Sequence, residues 1–173
     1  MPSRSFQNKK PIINTSSNLP DQVEAAFVSA EAEIDAVYGA TPREFILFSG
    51  VTTIVSGTPV RIASRSIDLT AFPAQYQGMN RTVRVHAVLE AIGGTATVTV
   101  TDISLMVPTL LTNGSLSHAT STPTEIVSSV VPVADSDGSL WLSVPHLYEV
   151  ALKVDSGPGT VTCSGAWLAV TYE

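Results

Sequence analysis

Charge is what this sequence has least of. Asp, Glu, Lys and Arg make up 14% of the chain, against about 25% in an average soluble domain. Lysine is nearly absent, with only Lys9, Lys10 and Lys153. The nine bases are scattered apart from Arg4, Lys9 and Lys10, and the formal net charge is −6. No basic stripe exists on which a nucleic-acid backbone could lie, so nucleic acid is not an expected partner. Three bases are also too few for a genome-binding arm, whose affinity comes from many phosphate contacts. The single cysteine, Cys163, excludes an internal disulfide. Set among small residues in a strand, it reads as a buried, inert thiol. No apolar run approaches ~18 residues, which excludes an ordinary membrane-spanning helix, and no membrane partner is expected. The opening "MPSRSFQNKKPIINTSSNLP" has neither an apolar core nor a cleavage site. No secretion signal is therefore expected, and the protein should stay where it is made or leave by lysis.

The signatures of catalysis are missing as well. There is no GxSxG elbow, no phosphate-binding glycine loop and no dinucleotide fingerprint. His86, His118 and His146 stand too far apart for metal-ligand spacing. Cys163 inside a strand is a poor candidate for pairing with a histidine base. Asp68, Glu90 and Asp102 are strand-end acids with no further signal. "ADSDGS" at 134–139 looks like half of a calcium loop, with Asp135 and Asp137 at ligand spacing before Gly138, but the distal glutamate is absent. A tight turn is its ordinary reading, and a weak calcium site at Asp135 and Asp137 is left open. No cofactor, no metal and no enzymatic activity are expected. Aromatics are only 6% of the residues. Among them Trp141, opposite both leucines in "SLWLSV", is a possible ligand surface or a residue of a subunit interface.

In place of charge the chain has hydroxyls: 20 Ser and 19 Thr. Mean hydropathy is +0.26. So apolar a chain with so few charges points to a surface covered by partner subunits.

Three regions follow. Residues 1–18 are polar, carry Pro2 and Pro11, and read as an extended N-terminal arm. Phe6, Ile12 and Ile13 are its apolar anchors. Residues 19–39 read as one α-helix. Asn18 caps it, Pro20 suits its first turn, Asp21 and Glu24 favour its positive end, and Gly39 and Pro42 stop it. Val23, Phe27, Ala30, Ile34 and Val37 recur at steps of four and three, an apolar seam flanked by acids. That seam packs on the chain's own β-domain or on copies of itself. Phe6, Ile12, Ile13, Val23, Phe27, Ile34 and Val37 are thus the candidate assembly interface.

From residue 43 to 173 the apolar period becomes two, the mark of strands. In "RTVRVHAVLEAIGGTATVTVTDISLMV" Val83, Val85, Ala87 and Leu89 face one way, and Ala96, Val98 and Val100 face in with Thr95, Thr97, Thr99 and Thr101 out. Gly93-Gly94 there predicts the turn of a hairpin. Residues 108–125 read as a long polar loop turning at Asn113-Gly114. "IVSSVVPVADSDGSLWLSV" reads as strand, turn and strand. In the closing stretch Tyr148, Val150, Leu152 and Val154 alternate inward, "SGPG" turns the chain, and Ser164-Gly165 marks a bulge or turn. Eight to ten short strands at regular spacing predict a mainly β fold, an antiparallel, jelly-roll-like β-sandwich with an N-terminal arm and one helix.

A short polar arm (1–18), one helix (20–38) and a Ser/Thr-rich sandwich ending in "YEVALKV…GTVTCSGAWLAVTYE" resemble, as a layout over the whole chain, the virion proteins of tailed bacteriophages. Head-decoration, head-fibre and tail-associated proteins share that layout. The resemblance implies a non-enzymatic structural protein that assembles with itself, a trimer being favoured, and with other virion proteins. Its place is then the virion, after synthesis in the host cytoplasm. Attachment through the N-terminal arm and helix would explain why the final strand simply closes the sheet. Two alternatives stand beside this reading: a carbohydrate- or receptor-binding β-sandwich module, and a jelly-roll capsid subunit of a small virus.

Overall fold

The computed structural model describes residues 43–68, 81–141 and 143–172. The arm at 1–18 and the helix at 19–39 lie outside the described residues. Among the described residues there is no helix, and eight strands form: β1 (Arg43–Ile54), β2 (Val60–Ile67), β3 (Arg81–Ile92), β4 (Ala96–Asp102), β5 (Thr109–His118), β6 (Thr124–Val127), β7 (His146–Val154) and β8 (Thr160–Tyr172). They build two four-stranded antiparallel sheets, ordered β1-β8-β3-β6 and β2-β7-β4-β5.

The strand order has a simple logic. β1 pairs with β8, β2 with β7, β3 with β6 and β4 with β5. This is one long hairpin, folded at the β4–β5 connection and then rolled so that alternate strand pairs fall in opposite sheets. Rolling brings β8 against β3 and β7 against β4, which completes both sheets. The result is a jelly-roll sandwich.

Alternation decides which side chains fill the space between the sheets, because successive residues of a strand point to opposite faces. Val83, Val85, Ala87 and Leu89 of β3 meet Val161, Cys163, Leu168 and Val170 of β8 on one inner face, and all are buried. Val98 and Val100 of β4 meet Tyr148, Val150 and Leu152 of β7 on the other. Each such aliphatic side chain contributes roughly 1.5–3 kcal/mol by leaving water. Cys163 is fully buried, its thiol 3.5 Å from the carbonyl oxygen of Gly165, and burial pushes its pKa up. The register of β8 on β3 slips between Val88 and Leu89, whose partners are Gly165 and Cys163. Ser164 is the looped-out residue, so the expected irregularity at Ser164-Gly165 is a bulge.

Three expectations are corrected. β3 and β4 do not form a hairpin, because they lie in different sheets. The turn at Gly93-Gly94 carries the chain from one sheet to the other, as does "SGPG" between β7 and β8. These two corners press together. A Cβ on Gly159 would stand 2.6 Å from the carbonyl oxygen of Ile92, and one on Gly94 would stand 2.6 Å from that of Ser156. Residues 109–118 are strand β5 and not part of a loop. Asn113, with φ 60, breaks the register there, so that Thr99 faces Ser115 while Thr101 faces Leu110. Finally, among the described residues no strand lies between the 134–139 turn and β7; Val133 and Leu140 make one isolated bridge.

Both margins of the described unit adjoin. Arg43 pairs with Val170, and Arg81 with Tyr172. The start of β1 and the end of β8 therefore share one end of the sandwich with the β4–β5 and β6–β7 connections. We call this end the tip.

Candidate functional site

The polar chemistry in the interior gathers beneath the tip. Asp102 closes β4 and His146 opens β7. The register sets Asp102 beside Tyr148 and His146 beside Ile67. The side chains of His146 and Asp102 are 7% and 1% exposed, and His146 Nδ1 donates to Asp102 Oδ2 over 2.5 Å. The other carboxylate oxygen, Oδ1, accepts the Ser104 amide at 2.9 Å. Trp141 lies flat on the imidazole, with centroids 4.6 Å apart and planes 11° apart. Its backbone amide donates to the Tyr148 hydroxyl at 3.5 Å. Burial is the main reason the Tyr148 pKa is pushed up to about 12; the bond from Trp141 lowers it and the nearby Asp102 carboxylate raises it further.

A carboxylate that orients an imidazole is the skeleton of an acid–base site. Here the carboxylate is spent on His146 and Ser104, and the imidazole is covered by Trp141. What the cluster does is join three segments: the 103–108 connection, the 128–145 connection and β7. The backbone completes the lock, since Ile103 N–H donates to Leu147 O at 2.9 Å and Leu147 N–H donates to Ser104 Oγ at 2.5 Å.

Sequence reasoning named both residues, Asp102 as a strand-end acid and His146 among the three histidines, but did not join them. Spacing holds no signal, because they are 44 positions apart. Parity does hold one: Asp102 continues the inward phase of Val98 and Val100, and His146 shares that of Tyr148 and Val150. A titratable residue in the inward phase of a strand demands a buried partner.

Trp141, the possible ligand surface, is half-buried. His146 covers one face of its ring, and its indole Nε1 is buried with no hydrogen-bond partner among the described residues. The turn after Val133 holds Asp135 and Asp137 as exposed side chains, with Asp135 Oδ1 accepting the Ser143 amide at 3.4 Å and Gly138 at φ 75. Among the described residues no group of three His, Cys, Asp or Glu side chains could hold a metal ion. His118 is engaged in the β5–β6 corner, its Nε2 2.7 Å from Thr120 Oγ1. Phe6, Ile12, Ile13, Val23, Phe27, Ile34 and Val37 lie outside the described residues.

The outer faces differ in character. On the β2-β7-β4-β5 sheet, Thr97, Thr99 and Thr101 stand beside Ser115, Ser117 and Leu110 on β5. Thr97 and Ser117 are linked hydroxyl to hydroxyl at 2.9 Å. Charge appears only toward β7 and β2, where Arg61 meets Glu149 at 3.4 Å and Lys153 meets Asp155 at 2.6 Å. Lys153 holds the Asp155 carboxyl below its ordinary pKa by hydrogen bond and charge. On the other sheet a single row crosses all four strands: Ile46, Trp167, His86 and Val127 are successive cross-strand partners. Trp167 and His86 stack with centroids 5.3 Å apart, and His86 Nδ1 pairs with Glu125 at 2.7 Å. The row stands as a ridge, with Ile46 and Val127 exposed at its ends.

The fold and its outer faces define a class, the jelly-roll β-sandwich. Three solved structures are similar to this chain. The T13 IBDV viral particle matches with a TM-score of 0.44 at 12% identity, over 76% of this chain and 31% of that one. The VP2 subviral particle of infectious bursal disease virus matches at 0.42 and 12%, over 78% and 34%. The Gx strain of the same virus matches at 0.39 and 12%, over 78% and 33%. The chain thus corresponds to about a third of the length of the chains it matches. No protein-family model and no curated protein matches the sequence.

Proposed function

We propose that this chain is a non-enzymatic structural protein of a virus particle, and more narrowly of a tailed-bacteriophage virion, as a head-decoration, fibre, neck or tail component. It assembles with itself, a trimer being favoured, and with other virion proteins. Phe6, Ile12, Ile13, Val23, Phe27, Ile34 and Val37 attach it, and the sandwich faces make lateral contacts. It works without cofactor, nucleic acid or membrane, and joins the particle in the host cytoplasm.

The observation that carries this reading is the hydroxyl face of the β2-β7-β4-β5 sheet. Thr99, Thr101, Ser115 and Ser117, none of them buried, offer donors and acceptors without net charge. Copies of an acidic protein can pack along such a face with hydrogen bonds and little like-charge repulsion. The test removes residues 1–18 and compares full-length and shortened protein for incorporation into particles during co-expression. The shortened protein should remain folded and stay out of particles; full incorporation would sink the proposal.

The strand order favours a second reading, a jelly-roll capsid subunit of a small virus, since jelly rolls recur in capsid domains. Fold alone is a weak guide to function. That reading requires closed shells from this chain alone, which electron microscopy of the purified protein would reveal. The decoration, fibre or tail reading requires discrete small oligomers instead.

A further inference from the structure

We propose that Asn113 is a site of spontaneous deamidation that the folded sandwich holds shut, and that a chain altered there to isoaspartate cannot rebuild β5. The proposal is independent of the assembly reading above.

The sequence sets the chemistry. Of the asparagines Asn8, Asn14, Asn18, Asn80 and Asn113, only Asn113 is followed by glycine. The backbone nitrogen of Gly114 attacks Asn113 Cγ. An N–Cγ bond forms, the amide proton passes to water, and the Cγ–Nδ2 bond breaks with Nδ2 leaving as ammonia. Water then opens the succinimide at either carbonyl and gives aspartate or isoaspartate. A side chain on the following residue crowds this attack. Lys9, Thr15, Leu19 and Arg81 follow the other four asparagines; glycine has no Cβ to shield its nitrogen.

The fold explains why glycine stands there. Asn113 is exposed and takes φ 60, a left-handed conformation that asparagine tolerates better than most residues with a side chain. Gly114 is buried. A Cβ on it would stand 2.7 Å from Leu111 Cβ, 2.9 Å from Leu111 O and 3.0 Å from Val100 O. The break in the β4–β5 register therefore needs glycine for room, and the labile pair comes with it.

The same contacts keep the pair from reacting. Asn113 Nδ2 donates to Val130 O at 2.7 Å, so the carboxamide reaches across to the 128–131 segment. That segment is fixed on β3, where the Ser128 and Val131 amides donate to Val85 O at 2.9 Å and Val83 O at 2.8 Å. Gly114, packed between Leu111 and the Val100 carbonyl, has no room to turn its nitrogen toward Cγ. Ring closure thus waits for β5 to open locally. The two products then differ in consequence. Isoaspartate lengthens the main chain by one carbon where there is no space for it. Aspartate leaves the main chain unchanged and loses only the Nδ2 donor.

The test uses the full-length chain, incubated in mildly alkaline buffer either native or in guanidinium chloride. Peptide mapping by mass spectrometry follows each asparagine, with fragmentation that separates aspartate from isoaspartate. In the denatured chain Asn113 should react ahead of the other four. In the native chain it should react at least roughly tenfold more slowly than in the denatured one, which requires a local opening cost of only about 1.4 kcal/mol. Equal rates would mean that the fold does not hold the site shut, and a denatured chain in which Asn113 does not lead would mean that it is not the site; either overturns the proposal. The aged, denatured chain is then refolded by dilution and treated with protease. Isoaspartate at position 113 should be depleted from the resistant fraction relative to aspartate at the same position. Equal recovery of the two would refute the claim that β5 cannot be rebuilt around the longer main chain.

Discussion

Gly159→Ala tests the rolled topology directly. Alanine normally stabilises such a site by about 0.4–1 kcal/mol, because it removes freedom from the unfolded chain. At Gly159 the new methyl would lie 2.6 Å from Ile92 O, 2.8 Å from Gly93 C and 2.9 Å from Gly94 N. All three are backbone atoms of the neighbouring corner, so no side chain can swing aside. Overpacking of this kind costs about 1–3 kcal/mol, leaving a net loss of about 1–2 kcal/mol after the entropic gain. For a domain of this size that lowers the melting temperature by about 2–8 °C. Gly57→Ala is the control. Its methyl would meet nothing nearer than Val154 O at 3.7 Å, so that variant should equal or exceed the parent. Urea unfolding followed by tryptophan fluorescence reads both variants as midpoint shifts at constant slope. Equal stability of the two would refute the packed corners, and with them the assignment of β3 and β4 to different sheets.

Asp102→Ala should destabilise the sandwich by about 2–4 kcal/mol, because it strands the buried His146 and the Ser104 amide together. Adding His146→Phe should recover much of that loss in the same unfolding assay; a single-variant cost below about 0.5 kcal/mol would show that the pair does not hold the tip. Tyr148 supplies a pH dependence. Its pKa is raised to about 12 when folded, so the native state holds that proton while the unfolded state releases it near 10. The stability this confers is whole below pH 10 and is lost as pH rises through 12. Thermal unfolding between pH 9 and 12 should show the decline, and Tyr148→Phe should flatten it; an identical decline in both proteins would assign it to other groups.

Much of the molecule follows from local pattern. The period of two marked β3, β4, β7 and β8 and placed their apolar core residues inward, because alternation is a property of one strand; Thr97, read as outward, is buried beside Ser117 and Asp155. Cys163 was legible as buried for the same reason. The glycine pairs were legible as turns, since Gly93 and Gly157 take φ 77 and 75. Strand β5 was not legible: "TLLTNGSLSH" contains Asn113-Gly114, which reads locally as a turn, yet its neighbour β4 holds it extended through a break in register.

Only the tertiary structure decided which strands meet. A Gly-Gly turn serves a hairpin or a crossover equally well, and the choice is made by pairing partners such as β1 with β8, more than a hundred residues apart in sequence. Separation along the chain, 44 positions, likewise hid the Asp102–His146 pair. Alternation is set within a strand; pairing is set by which faces and edges can be buried together once the whole chain collapses.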